Sequence, residues 1–388
     1  MIRKIKVSAF KSLVDFEIEL GKFNCIIGLN GAGKSSVLQL ISYISSIFRG
    51  DLDQWLSQRQ WQANEVVSHY FPARETIDIE IELEFSDQSY LWKSVFNWRK
   101  GFCTKESLTN AKNDKLLFSI YQGRIKHLEN FDFDRDIYFQ YSGSILSALS
   151  DATITFEIKK VRNYISNIES HELSSPKVMR SGKYNRQARL GLAGEYLISF
   201  IHNLDSSDRD LVRERLAEYF PQVINITTKT KIDGSLAMFI TERFYGESGD
   251  HIDMATDARH INDGMLRILN LLANQRSESV FQLFDEIENG VNPEITEKLM
   301  DGFVRAPQQT LVTTHSPMIL NYLDEGVAIE SVIFIYKRKD GKTRAKHLFN
   351  IPSARMKLSE LAPGEAMVDL YLDRVALEAE QLESEEVG

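Results

Sequence analysis

Gly28-Leu29-Asn30-Gly31-Ala32-Gly33-Lys34-Ser35 satisfies G-x-x-x-x-G-K-[ST] at every fixed position. The residues on either side supply its context. Asn24-Cys25-Ile26-Ile27, immediately before, is a short apolar run that reads as a strand buried on both faces. Beyond the loop, Val37, Leu38, Ile41, Ile44 and Phe48 recur at helical spacing until Gly50 offers a stop. A strand, a glycine loop and a helix in that order make an anion site. The glycines let backbone N–H groups turn inward around phosphates, and the helix N-terminus adds partial positive charge. Lys34 is placed to reach the β and γ phosphates of a nucleotide and Ser35 to offer its hydroxyl to Mg²⁺. Nucleotide binding is therefore expected from Asn30, Gly31, Ala32, Gly33, Lys34, Ser35 and Ser36.

Three further stretches carry polar groups where such a site needs them. Val280-Phe281-Gln282-Leu283-Phe284-Asp285-Glu286 is a mostly apolar strand ending in two carboxylates, at the strand end where α/β sheets bind ligands. An acidic turn after a strand is common by itself; beside a phosphate loop, Asp285 can hold the Mg²⁺ water shell and Glu286 can orient or deprotonate an attacking water. Thr310-Leu311-Val312-Thr313-Thr314-His315-Ser316-Pro317 is another strand ending in polar groups. A lone histidine is more often structural, but the helix-like stretch 295–303 lies between Glu286 and His315. A βαβ unit would bring the imidazole to the same sheet edge, where it can hydrogen-bond a γ-phosphate. Ile261-Asn262-Asp263-Gly264-Met265-Leu266-Arg267 precedes an apolar helix and fits a second anion site, although the same residues would serve any helix N-terminus.

The rest of the chain fills in around these motifs. Period-two alternation marks strands at 5–7, 16–20, 76–85 and 115–121; 223–228, 237–243, 331–337 and 343–349 also read as strands, and 137–139 is strand-like. Helix formers dominate 144–220, interrupted by a polar stretch at 172–189, and a helix is expected at 265–273. The last residues, 378–388, hold five glutamates and read as a frayed end. No internal repeat is visible.

Composition narrows the class. With 388 residues, 43% hydrophobic and 26% charged, and only 8 Pro and 21 Gly, the chain is an ordinary globular one or two domains long. Its 46 basic against 55 acidic residues, a net charge of −9, argue against a protein that coats nucleic acid non-specifically. No run approaches a membrane span, the charged start does not read as a signal peptide, and two cysteines, Cys25 and Cys103, suit a reducing compartment. A cytoplasmic protein without membrane contact is expected.

Taken together and in this order, the motifs resemble the ABC ATPase superfamily, in its RecF-like and OLD-like soluble branch of AAA_21-type ATPases. Phe10-Lys11-Ser12-Leu13 is similar to the branch's aromatic-basic opening motif and Asn262-Asp263-Gly264 to its signature. Glu288-Asn289-Gly290-Val291-Asn292-Pro293 resembles its dimer loop, His315 its switch histidine, and Leu361-Ala362-Pro363-Gly364-Glu365-Ala366 the segment that closes these proteins. Asn262 stands where serine is usual. The resemblance implies ATP and Mg²⁺ as cofactors and Gln140 as the glutamine-loop residue near the metal. It also implies a homodimer in which Asn262, Asp263 and Gly264 of one copy close on the phosphates held by the other. The implied fold is α/β: an ABC-type P-loop ATPase head with a mixed sheet, a β-rich N-terminal lobe and an inserted helical lobe. Its domains would be 1–145, with the phosphate loop; 146–220, the helical insertion; and 221–388, with the signature, acidic strand and switch histidine.

A long coiled coil, as in chromosome-structuring relatives, needs sustained heptads that 146–218 lacks. The stretch after His315 has no Asp-x-Asp and is too short for the toprim nuclease that some OLD-like relatives carry. Within the polar stretch, Lys177, Arg180, Lys183, Arg186 and Arg189 recur every three residues and could form a basic stripe for nucleic acid or an acidic partner; the same run would serve as a solvated loop. Two functions follow. One is a regulatory ATPase that holds a separate effector, a nuclease or toxin, as in anti-phage defence or toxin control; the other is a DNA-repair ATPase that binds ends or gaps directly. A metabolic kinase is disfavoured by the signature-like stretch and His315.

Overall fold

The computed structural model describes residues 1–86, 88–129, 134–171, 175–185, 190–247, 249–274 and 279–387. The chain divides into two compact units, one formed by Met1–Glu169, Val280–Leu283 and Gln309–Gly388, the other by Ser170–Ser279 and Phe284–Gln308. The helix-forming stretch is shared between them: Phe156–Ser166 belongs to the first unit, Leu197–Asn203 and Ser206–Tyr219 to the second.

Two sheets build the first unit. The larger has eight strands in the order Leu13–Glu19, Ile2–Phe10, Thr76–Phe85, Gln88–Asn97, Phe102–Asn110, Lys115–Tyr121, Arg124–Leu128, Arg135–Asp136, antiparallel throughout. Alternation decides its faces: Ile77, Ile79, Ile81 and Leu83 are all fully buried. The other sheet has six strands, ordered Ile168–Ser170, Phe281–Phe284, Gln309–Thr313, Phe23–Ile27, Val332–Lys337, Thr343–His347. Phe23–Ile27 runs parallel to both neighbours, and all five of its residues are buried, as expected for a central strand.

Lys34–Arg49 is the helix that the 3.6-residue spacing predicts, ended by Gly50 at φ 73° with its N–H on the Ser46 carbonyl. Its aromatic residues pack on the larger sheet: Tyr43 stands 5.4 Å from Phe10 and 5.6 Å from Phe96, and Phe48 stands 4.8 Å from Trp92. Val37, Leu38 and Ile41 share one core cluster with Ile26, Leu283, Leu311, Ile333 and Ile335 of the smaller sheet. Truncating any of these to alanine would cost roughly 2–5 kcal/mol.

Within that core Glu106 is a buried carboxyl. It accepts from Trp92 Nε1 at 2.9 Å, from the Ile145 amide at 3.2 Å and from the Ser144 hydroxyl. Burial pushes its pKa up to about 7 despite those donors. The segment it anchors continues to the phosphate-loop helix, since Ser144 N donates to the Ile47 carbonyl at 2.8 Å.

The second unit holds a three-stranded antiparallel sheet, Val223–Thr230, Leu236–Tyr245 and His251–Asp257, with helices that include Asp263–Asn274 and Pro293–Val304. The last strand of that sheet was not expected from the sequence.

Two expectations are corrected. Residues 137–139 form no strand; Tyr138 and Phe139 are exposed instead of alternating into a core. The acidic end is a helix, Leu372–Val387, because its glutamates find partners. Glu383 accepts from the Tyr336 hydroxyl at 2.6 Å, Glu380 from Arg338 at 3.2 Å and Glu378 from the Ser353 amide at 3.1 Å. No helix among the described residues is long and apolar enough to cross a membrane.

Candidate functional site

The phosphate loop is shaped by what stands behind it. A Cβ on Gly28, at φ 153°, would lie 2.1 Å from the Ile335 carbonyl oxygen, so only glycine lets the loop leave the central strand against its neighbour. A Cβ on Gly33, at φ 114°, would lie 2.7 Å from Thr343 Oγ1. Thr343 is fully buried and ties the loop in place: its hydroxyl donates to the Ala32 carbonyl at 2.9 Å and shares a 2.8 Å bond with the Ser12 hydroxyl, while its amide donates to the Ser12 carbonyl at 3.0 Å. Lys34 Nζ donates to the Gly28 carbonyl at 2.7 Å and the Leu29 carbonyl at 3.2 Å, spanning its own loop. No side chain caps the N-terminus of the helix that starts at Lys34, and the first amides of an α-helix have no acceptor within it. Asn30, Gly31 and Ser35 are exposed around it, and a Cβ at Gly31 would meet nothing within 4 Å.

That arrangement fits a nucleotide phosphate chain: an open loop, a helix N-terminus and a pre-positioned ammonium. Among the described residues no group of three or more His, Cys, Asp or Glu is placed to hold a metal.

His315 reaches the same edge. Gln309–Thr313 pairs in parallel with Phe23–Ile27, Thr313 opposite Ile26, and Thr314 N continues the ladder to the Ile26 carbonyl at 3.1 Å. Two residues beyond Thr313, His315 stands exposed in the bend that follows the strand. Thr314 Oγ1 accepts from the Ser316 amide at 2.9 Å and fixes the turn.

Asp285 and Glu286 follow Phe281–Phe284 directly and are half-buried. Glu286 sits at φ 48°, a left-handed conformation that costs a residue with a side chain and that six other non-glycine residues among those described also adopt. Its carboxylate accepts from Asn289 Nδ2 at 2.8 Å and its carbonyl from the Asn289 amide at 2.9 Å. Asn289 belongs to the stretch that resembles a dimer loop, and in it Asn292 caps the helix Pro293–Val304 by accepting from Ile295 N at 3.0 Å.

Asn262 accepts from the Met265 amide at 2.7 Å and so caps Asp263–Asn274, whose first turn holds Asp263 and Gly264. Arg180 grips this turn, donating to Asp263 at 2.6 Å and to the Ile261 carbonyl at 2.7 Å. That corrects the uniform basic stripe: Arg180 is committed to the turn, Lys177 and Lys183 are exposed, and Arg186 and Arg189 lie outside the described residues. Gln140 is exposed in an irregular segment after Arg135–Asp136.

Sequence reasoning missed Thr343, and it missed the supporting contacts of Arg180, Lys11 and Gly364, which it named only in other patterns. Thr343 and Arg180 act on residues far away in the chain. Lys11 lies with its ammonium 3.3 Å from the Trp61 ring centroid and donates to Gln39 of the loop helix at 2.9 Å; burial lowers its pKa to about 8. Gly364 N donates to Asn321 Oδ1 at 2.7 Å, so 361–366 braces the turn that follows His315.

The glycine loop at the end of a central parallel strand is a phosphate loop, and the fold around it resembles that of the ABC-type P-loop ATPase heads. Residues 23–321 match the family described as "AAA domain, putative AbiEii toxin, Type IV TA system" (AAA_21), and the chain belongs to it. Among solved structures it is similar to a crystal structure of the SmcHead bound to the C-winged helix domain of ScpA. The TM-score is 0.53 at 16% identity, covering 89% of this chain and 96% of that one. An SMC head domain from Thermotoga maritima aligns with TM-score 0.47 at 12% identity, covering 89% and 98%. No curated protein sequence matches.

Proposed function

We propose that this ATPase binds ATP with Mg²⁺ on 30–36, dimerises around two ATP molecules and regulates a separate effector protein. The observation that carries this reading is the phosphate loop: Thr343 fixes Ala32 from behind, and Lys34 already spans the loop. Lys34 would meet the β and γ phosphates, Ser35 and Asp285 would hold Mg²⁺ directly or through water, with Gln140 as a further contributor, and the ion would neutralise charge on the phosphates. Glu286 would hold the attacking water, its carboxylate oriented by Asn289. His315, just beyond the strand that pairs with Phe23–Ile27, would hydrogen-bond the γ-phosphate.

Asn262, Asp263 and Gly264 of one copy would face the phosphates of the other. Loss of the γ-phosphate would release those contacts and pass the change to the effector. A toxin or nuclease partner in defence or toxin control accords with the family's description, and an SMC head of this fold binds a partner domain in its crystal structure. Direct DNA binding through 177–189 is the less favoured reading, because Arg180 is held by Asp263. Sedimentation of Glu286→Gln should show tighter association with ATP than without it. A nucleotide-bound species that stays monomeric at all concentrations would rule the ATP dimer out, and ATP turnover raised by DNA would favour the repair role.

A further inference from the structure

His251–Asp257 is the terminal strand of its sheet and is unusual in being exposed on both faces. It pairs with Leu236–Tyr245 without a bulge, from Phe239 opposite Asp257 to Tyr245 opposite His251. One face carries Ile252, 69% exposed, and Met254, 51% exposed, beside Phe244, 44% exposed and directly opposite Ile252. The strand has no proline, lysine or bulge to blunt it as a sheet edge, and its two carboxylates, Asp253 and Asp257, are paired with Arg243 and Arg259 of the same chain. The opposite edge of the same sheet, Val223–Thr230, is packed by Leu197–Asn203 and Ser206–Tyr219.

We propose that this edge pairs with the same strand of a second copy, antiparallel about Met254, and joins two three-stranded sheets into one of six strands. The sequence of the strand selects that occupant and that register. A two-fold antiparallel pairing sets residue i opposite residue j with i + j constant and even. Centred on Met254 it uses all seven residues, places Ile252 opposite Thr256, Asp253 opposite Ala255, and His251 opposite Asp257, whose carboxylate also accepts from Arg259. Centring on Asp253 or on Ala255 pairs only five of the seven residues and brings carboxylates face to face, Asp253 against itself or against Asp257, each a poorer cross-strand pair than His251 opposite Asp257. Asp253 itself is neutralised within its own chain by Arg243, through two bonds of 2.7 Å. The contact needs no nucleotide.

Cysteine crosslinking tests the register in the full chain without nucleotide. The native Cys25 and Cys103 are buried, so an introduced thiol is the reactive one. Opposed residues in an antiparallel pair have Cα atoms about 4.5–5.5 Å apart, within the roughly 4.4–6.8 Å that a disulfide spans. Met254→Cys should oxidise to a linked dimer. Asp253→Cys alone should not, but a mixture of Asp253→Cys and Ala255→Cys chains should. Ile232→Cys, at a fully exposed turn, sets the background rate. Ile252→Lys should weaken nucleotide-free self-association by at least about tenfold in sedimentation. The proposal is overturned by Met254→Cys linking no faster than Ile232→Cys, by self-association unmoved in Ile252→Lys, or by a chain that stays monomeric while this edge captures a different protein.

Discussion

The phosphate loop and the signature-like turn are both helix N-termini, yet they are held in different ways. In the first unit the loop is locked from behind by buried contacts: Gly28 against the Ile335 carbonyl, Gly33 against Thr343, Ala32 by the Thr343 hydroxyl. In the second unit, the turn at Asn262 is capped by its own side chain and gripped from outside by Arg180, whose partner Asp263 is largely exposed. A buried hydrogen bond left without its partner costs the desolvation of the orphaned group, whereas an ion pair whose carboxylate stands in solvent, as Asp263 does, is weakened by screening. The loop is thus preformed, while the turn is lightly held, as suits a surface expected to close on a second copy.

The largest effect should come from the strained acid. Glu286→Gln should lower ATP turnover by roughly 100-fold or more while nucleotide binding persists; near-normal turnover would remove Glu286 from the chemistry.

The core of the first unit should respond to pH. Because Glu106 is pushed up from its ordinary 4.5 to about 7, the folded chain keeps a proton that the unfolded chain has already lost between those values. The stability from that proton is full below about pH 4.5 and falls as pH rises towards 7, by up to about 3 kcal/mol. Glu106→Gln should flatten that slope in melting temperature measured from pH 5 to 7.5. An unchanged slope would mean that Glu106 does not carry it.

Thr343 should matter to the loop more than to the fold. Thr343→Val should weaken ATP binding about tenfold, near the 1–1.5 kcal/mol of one buried hydrogen bond, and Thr343→Ser should restore it. Equal affinity in wild type and valine variant would show that the loop holds its shape without Thr343. Arg180→Ala should cost no more than about 1 kcal/mol in stability, yet reduce ATP-dependent association of Glu286→Gln. A stability loss several times larger would mean that the turn is as firmly built as the loop.

The same contrast explains what could be read from the sequence. The loop, its strand and helix were legible because glycine spacing, a buried run and 3.6-residue periodicity are local signals; Phe23–Ile27 and Lys34–Arg49 follow them closely. Thr76–Phe85 and Phe281–Phe284 were legible for the same reason. Thr343 and Arg180 were not, since each is an ordinary residue whose partners come from remote parts of the chain. The acidic C-terminal stretch misled because its charges suggested solvent, when Tyr336, Arg338 and Ser353 receive them. His251–Asp257 was missed because its alternation is broken by short polar residues and both faces meet water.

The central claim is that Lys34 is the charge that grips the nucleotide phosphates. Titration calorimetry of ATP with Mg²⁺ into wild type and Lys34→Ala, both shown to be folded by their melting curves, tests it most directly. Wild type should bind and Lys34→Ala should lose affinity by roughly 100-fold or more, as expected when a charged hydrogen-bond donor is removed from a phosphate site. ATP bound as tightly by folded Lys34→Ala as by wild type would contradict the account.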